Sequence, residues 1–101
     1  MQIPVQHNDG KARIGLPHNF DTLAMPHFRE AYNGAFDSTD ITEIEIDFGN
    51  VHYIDSSALG GLLLLRQRAE AAALTITIIR CQPEVMKVLA MANFHRIFNI
   101  H

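Results

Sequence analysis

The stretch between residues 43 and 79 constrains the fold more than any other part of the chain. Residues 43–48 alternate acidic side chains with isoleucine and phenylalanine, which predicts a half-buried strand that ends at Gly49-Asn50. Residues 56–73 have the composition of a helix, and residues 74–79 are β-branched and apolar, as in a buried strand. A strand, a helix and a second strand in this order predict a β-α-β unit, and therefore a parallel sheet.

The residues before this unit predict a hairpin and a helix. Residues 3–5 and 12–16 flank the turn sequence Asn8-Asp9-Gly10, which is typical of a β-hairpin. Asp21 is a good N-cap, and Pro26 is tolerated only in a first helical turn, so the helix is predicted to start near Ala24. Its core positions have helical spacing: Phe28, Ala31, Tyr32, Ala35 and Phe36.

The residues after this unit predict a third helix and one more short element. Pro83 suits the first position of a helix, and Asn93 suits a left-handed residue after its end. The tail predicts a last strand or short helix with four core-facing residues, Phe94, Ile97, Phe98 and Ile100. The predicted order is β-β-α-β-α-β-α, an α/β fold in which one domain, residues 1–101, has a mixed, mostly parallel sheet covered by helices.

Composition excludes several classes of protein. The chain has 101 residues, 48% of them hydrophobic, and a net charge of −3 with eight scattered basic residues, which disfavours disorder and nucleic-acid binding. The single Cys81 and the absence of a leader sequence predict a cytoplasmic protein, and the longest apolar run, residues 58–65, is too short to span a membrane. The six histidines lack metal-ligand spacing, and no glycine-rich phosphate loop is present, so neither metal nor cofactor is predicted.

The junction between a strand and the Leu-rich helix carries the most distinctive chemistry. Asp55 or Ser56 would cap the helix, which places Ser56 and Ser57 where free N–H groups and the helix dipole favour an anion. A phosphate there would leave the helix intact and add nearly two negative charges. The alternative is that Asp-Ser-Ser serves only as a cap.

The helix that follows has more apolar surface than its own core needs. Gly60 and Gly61 each cost about 1 kcal/mol relative to alanine inside a helix. The four leucines at 62–65 span about 300° of the helix, so one buried stripe cannot hold them all. Gly61 and Leu64 are predicted to face outward or sideways, which favours a docking surface for a partner; a dimer contact or a covering helix would explain the same pattern.

Residues 55–60, Asp-Ser-Ser-Ala-Leu-Gly, resemble the Asp-Ser-Ser/Thr-Gly-Leu-Gly motif of STAS domains, the family of anti-sigma-factor antagonists and sulfate-transporter tails. The resemblance extends to Phe20-Asp21 with the following Pro26 and Arg29-Glu30, to residues 46–48 and 51–54, and to residues 83–89 with Phe94, Ile97 and Ile100. Two features depart from the family pattern: Ala58 replaces the commoner glycine, and residues 16–19, Leu-Pro-His-Asn, lack the glycine that precedes the Phe-Asp pair.

The resemblance implies a phosphorylation-switched binding module rather than an enzyme. Ser56 would be phosphorylated by an anti-sigma factor that is also a serine kinase. The protein would bind that factor only when Ser56 is unphosphorylated, and a phosphatase would remove the phosphate again. Ser57 is the less favoured acceptor. The implied partner-binding residues are Asp21, Asp55, Ser57, Gly60, Gly61 and Leu64. The alternative is a non-switching STAS subunit of a transport or sensory complex, and the possibility of a homodimer stays open.

Overall fold

A computed structural model describes residues 1–101. Its helices and strands, in chain order, are β1 (Val5–Asn8), β2 (Lys11–Gly15), β3 (Asn19–Phe20), α1 (Met25–Phe36), β4 (Glu43–Asp47), β5 (Tyr53–Ile54), α2 (Ser56–Ala71), β6 (Thr75–Ile79), α3 (Pro83–Met91) and β7 (Asn99–Ile100). Two 3-10 turns, Thr22–Ala24 and Phe94–Arg96, precede α1 and β7. The predicted order is confirmed, with the short strands β3 and β5 added to it. The tail, predicted to form a last strand or a short helix, forms a 3-10 turn and then the strand β7.

The main sheet has the strand order β1-β2-β4-β6-β7, in which only β1 is antiparallel to its neighbour. From β2 onward, each successive strand of the sheet is added on the same side of the one before it. Right-handed crossovers therefore place all three helices on the same face of the sheet. The sheet also lacks the point of reversal at which doubly wound folds bind nucleotides. Strands β3 and β5 form a separate parallel pair.

The two faces of the sheet differ in chemistry. Ile14, Ile46 and Ile78 occupy the helix-covered face, where they join one hydrophobic core with the aromatic and leucine side chains of the helices and loops. On the other face, Arg13 pairs with Glu45 on the adjacent strand, at 3.1 Å between Nη2 and Oε1. The prediction of a helix-covered sheet therefore holds for one face, and the second face carries ionic and polar side chains.

The hairpin has its first strand later in the chain than predicted and its second strand, β2, one residue earlier. Its first strand is β1, Val5–Asn8, because the backbone pairs all the way to the turn: Asn8 lies opposite Lys11. Asp9 and Gly10 both have positive φ, 51° and 80°, which is the geometry of the tight two-residue hairpin turns that match the twist of the strands.

Two helix ends and one core residue refine the predictions. Helix α2 ends at Ala71, and Ala73 takes a left-handed conformation with φ 58°, so the predicted end at residue 73 is two residues too late. Asn93, with φ 62°, adopts the predicted left-handed conformation after α3. Ile97 was predicted to face the core and is 39% exposed, because the 3-10 turn directs Phe94 and Phe98 inward and leaves Ile97 outside.

None of the helices has the length and apolar character needed to cross a bilayer.

The exit from β4 toward the site is held by Asp47. Its Oδ1 atom accepts hydrogen bonds from Arg80 Nε at 3.0 Å and from the Gly49 backbone N–H at 2.8 Å. Burial acts to raise the pKa of Asp47, and these hydrogen bonds outweigh it, so the pKa lies below its usual value. The turn after β4 is thereby fixed in the direction of β5.

Candidate functional site

The β3–β5 pair brings together two loops that are far apart in the sequence. Asn19 lies beside Tyr53 and Phe20 beside Ile54, so both strands run in the same direction and end at the same level. The next residue after each strand is an aspartate, Asp21 or Asp55. The start of the turn before α1 and the start of α2 are therefore neighbours.

Each aspartate caps the element that it precedes. Asp21 Oδ1 accepts hydrogen bonds from the N–H groups of Leu23 and Ala24, at 3.1 and 3.3 Å. Asp55 Oδ1 accepts one from Ala58 N–H, at 2.9 Å. Both side chains thus satisfy N–H groups that would otherwise lack a partner at the start of a helical segment.

The second oxygen of Asp55 holds the two loops together. Asp55 Oδ2 accepts hydrogen bonds from the backbone N–H and the hydroxyl of Thr22, at 3.1 and 3.2 Å. The hydrogen bonds from Ala58 N–H and from Thr22 lower the pKa of Asp55 below its usual value, because they stabilise the carboxylate form. Asp55 is thus an ionised group that links α2 to the turn before α1.

The Ser57 hydroxyl belongs to the same network. Its oxygen lies 2.8 Å from Thr22 Oγ1. The Asp55 carboxylate can only accept hydrogen bonds, so the single hydroxyl proton of Thr22 is donated to Asp55. The Ser57 hydroxyl therefore donates its own proton to Thr22 Oγ1. Sequence reasoning missed Thr22; the available signal was a hydroxyl residue directly after Asp21 at a predicted cap.

Ser56 lies at the first position of α2 and outside this network. Its side chain is exposed, and the hydrogen bonds of the cluster join Asp55, Ser57 and Thr22 without it. Gly60 and Leu63 follow four and seven residues later, so at about 100° per residue they share its side of the helix. We call Ser56, Gly60 and Leu63 the outer face of α2. Leu63 is 39% exposed, and sequence reasoning did not single it out.

Four of the predicted partner-binding residues line a groove between α1 and α2. Its volume is about 460 Å³, and it lies on the flank of α2 that faces α1. Leu64 is 57% exposed in it, which confirms the prediction that Leu64 faces away from the core. The groove residues of α2 are Ser57, Gly60, Gly61 and Leu64, and those of α1 are Met25, Phe28, Arg29 and Tyr32. We call this the α1–α2 groove; Asp21 and Asp55 do not line it.

Gly60 and Gly61 lie in different surroundings. A β-carbon at Gly61 would stand 2.6 Å from the sulfur of Met25, so this glycine allows the Met25 side chain to lie against α2. A β-carbon at Gly60 would meet no atom within 4 Å. Packing within the chain therefore explains Gly61 and does not explain Gly60.

The remaining polar candidates have structural partners. The rings of His18 and His52 are stacked with centroids 4.7 Å apart, and His52 Nδ1 lies 3.5 Å from Glu84 Oε1. Burial and the nearby Glu84 charge raise the pKa of Cys81 to about 11, which keeps it in the unreactive thiol form at neutral pH.

The sequence profile of the STAS domain matches residues 2–101. The chain belongs to the STAS domain family. A STAS-domain containing protein of Pseudomonas aeruginosa (strain UCBPP-PA14) is 42% identical to it over 87 residues, which are 86% of this chain and 84% of that protein.

Solved structures share the fold of this STAS domain at low sequence identity. The protein TM1081 of Thermotoga maritima superposes with a TM-score of 0.85 at 18% identity, over 97% of this chain and 84% of that one. The anti-sigma factor antagonist SpoIIAA, from Bacillus, superposes in its unphosphorylated form with a TM-score of 0.74 at 20% identity, over 98% of this chain and 86% of that one. SpoIIAA in its phosphorylated form gives the same TM-score and identity.

Proposed function

We propose that this STAS domain is an anti-sigma-factor antagonist that is switched by phosphorylation of Ser56. In this proposal the unphosphorylated protein binds an anti-sigma factor that is also a serine kinase. Phosphorylation of Ser56 by that kinase ends the complex, and a phosphatase restores the binding form. Because the kinase consumes ATP, the cycle would take place in the cytoplasm.

The observation that carries the proposal is the exposed position of Ser56 on the outer face of α2. Asp55, not Ser56, supplies the cap of α2, so the Ser56 hydroxyl is not needed to hold the start of the helix. A phosphate on Ser56 would stand near the first N–H groups of α2, where the helix dipole favours negative charge. The modified protein would therefore stay folded.

The same phosphate would make the adjacent surface unfit for docking. Gly60 lies one turn from Ser56, about 5–6 Å away along the helix. A partner that covers Gly60 and Leu63 would bury a dianion without a counter-charge, which costs on the order of several kcal/mol. At about 1.4 kcal/mol for each factor of ten, the affinity would fall by about 100-fold or more.

Two further observations support the proposal. The hydroxyl of Ser57 is engaged with Thr22, which leaves Ser56 as the free hydroxyl of the pair. SpoIIAA, which shares this fold, is an anti-sigma factor antagonist with an unphosphorylated and a phosphorylated form. We extend that behaviour to this chain as part of the proposal.

Mass spectrometry and calorimetry test the switch. Protein isolated from its own cells should carry phosphate on the tryptic peptide that contains Ser56. In calorimetric titrations with an anti-sigma factor kinase from the same cells, Ser56→Ala should bind like the unphosphorylated protein, and Ser56→Asp should bind about 100-fold more weakly. Thr39→Asp, which adds the same charge at an exposed loop position, is the matched control and should bind normally.

Equal affinities of the wild-type, Ser56→Ala and Ser56→Asp proteins would refute the switch. A stable complex that kinase and ATP leave unchanged would instead identify a non-switching STAS subunit of a transport or sensory complex.

A further inference from the structure

The α1–α2 groove offers an apolar surface that is open to solvent. Its accessible apolar atoms belong mainly to Leu64 of α2, which is 57% exposed, and to the half-buried Met25 of α1, because Phe28 and Tyr32 lie almost fully buried at its base. Met25 lies against Gly61 through its flexible thioether, so this part of the groove can adapt to the shape of an inserted side chain. The volume of about 460 Å³ is sufficient for one or two side chains of a partner.

Arg29 gives the groove an unpaired positive charge. The ion pairs of the chain take their cations from other residues, namely Lys11, Arg13, His52, Arg66 and Arg80. The residues that line the groove include no carboxylate that could neutralise Arg29. Arg68, the nearby arginine of α2, is already occupied: it lies over the Phe36 ring and donates a hydrogen bond to Asn33.

We propose that the α1–α2 groove binds a protein segment in which an apolar side chain is followed by a carboxylate. The apolar side chain would pack against Met25 and Leu64, and the carboxylate would form a two-hydrogen-bond ion pair with the guanidinium of Arg29. The charge of the groove selects this occupant, because a guanidinium beside apolar surface binds a carboxylate in a fixed, planar geometry. The proposal rests on the proposed function for the existence of a protein partner, and it adds the chemistry of the segment that anchors it.

The groove and the phosphorylation site are adjacent and separate. Ser57, Gly60 and Leu64 line the groove, and Ser56 does not. A segment that fills the groove would pass over Gly60, where the absence of a side chain allows its backbone to approach α2. Its binding can therefore be measured apart from the effect of phosphorylation.

The test uses two dipeptides and two-dimensional NMR of the full-length, isotope-labelled protein. N-acetyl-Leu-Glu-amide should shift the amide signals of Gly60, Gly61 and Leu64 saturably, with a dissociation constant of about a millimolar. N-acetyl-Leu-Gln-amide should bind the wild-type protein at least about fivefold more weakly, because it lacks the carboxylate of the ion pair. The Glu dipeptide should bind Arg29→Gln more weakly by a similar factor, because that variant lacks the guanidinium. Arg96→Gln, at an exposed arginine of the second 3-10 turn, is the matched control and should bind like the wild type.

Equal binding of the two dipeptides, undiminished binding to Arg29→Gln, or no saturable shift up to about 20 mM would each overturn the proposal. Ser56→Asp should bind the Glu dipeptide within about twofold of the wild type, since Ser56 lies outside the groove. The dipeptide result therefore fails or succeeds separately from the kinase and calorimetry results that test the switch.

Discussion

Met25 packs directly on Gly61: a β-carbon at residue 61 would lie 2.6 Å from the Met25 sulfur. This contact joins α1 to α2 within the α1–α2 groove. The adjacent Gly60 has open space where its side chain would be, although a glycine inside a helix lowers stability by about 1 kcal/mol relative to alanine. The two glycines therefore serve different purposes, and substitution separates them.

Gly60→Ala should stabilise the protein and weaken partner binding. The new methyl group meets no atom of the chain, so the gain in helix propensity should raise the free energy of unfolding by about 0.5–1 kcal/mol. Gly61→Ala should be less stable than Gly60→Ala by about 1 kcal/mol, because Met25 must move. Urea denaturation measures both, and calorimetry with the partner measures binding. When both variants also carry Met25→Ala, this difference should disappear, because the cost of losing the Met25 side chain is then the same in each. Equal stability of the two single variants would contradict the packing argument.

Leu62 and Leu64 should respond in opposite ways to truncation. Leu62 is fully buried, so Leu62→Ala should lower the free energy of unfolding by about 2–5 kcal/mol. Leu64 is 57% exposed, so Leu64→Ala should change it by about 0.5 kcal/mol or less and should instead weaken binding of the partner. Chemical denaturation and calorimetric titration give the two quantities. A normal affinity of Leu64→Ala would show that this leucine is not part of the docking surface.

Asp55 should make stability depend on pH in the acid range. Its pKa in the folded protein is lowered from 3.8, so its ionised form stabilises the fold above that pH, and this contribution is lost as the pH falls through the folded-state pKa. Asp55→Asn should therefore have a lower melting temperature than the wild type at pH 7. The difference in melting temperature between the two proteins, measured by circular dichroism, should narrow as the pH falls below 3.8. A gap that is the same at every pH would exclude the charge as its cause.

Cys81 should react slowly with alkylating reagents in the folded protein. A pKa of about 11 in place of 9.0 lowers the thiolate fraction at pH 8 by on the order of 100-fold, and the thiolate is the reactive form. Mass spectrometry of iodoacetamide-treated protein should show this slow reaction, and its rate should rise with pH up to about 11. The same protein in urea, where the thiol is exposed, provides the reference rate. Equal rates in both states would refute the burial of the thiol.

The α1–α2 groove and the hydroxyl network both lie where segments distant in the sequence come together. For this reason sequence reasoning missed some of their residues. Thr22 reaches Asp55 and Ser57 across 33 and 35 residues of sequence; its place beside the predicted cap at Asp21 marks it as a candidate, but the sequence does not indicate which distant residues it contacts. Leu63 was not singled out, although it is 39% exposed, because the four leucines were known only to exceed one buried stripe and Leu64 alone was assigned to the outside. The packing of Met25 decides that Gly61 is structural and Gly60 is not.

The sequence by itself determined the order of the main elements and a cap at the start of α2, by Asp55 or Ser56. These features follow from hydrophobic periodicity and from hydrogen bonds between residues a few positions apart, which any local segment carries with it. Only the tertiary structure decided which of two adjacent serines is free, which of two adjacent glycines is covered, and that Arg29 lies on an apolar groove without a carboxylate. Those properties depend on the pairing of β3 with β5 and on the packing of α1 against α2. Both are contacts between segments distant in the sequence, and such contacts exist only in the folded chain.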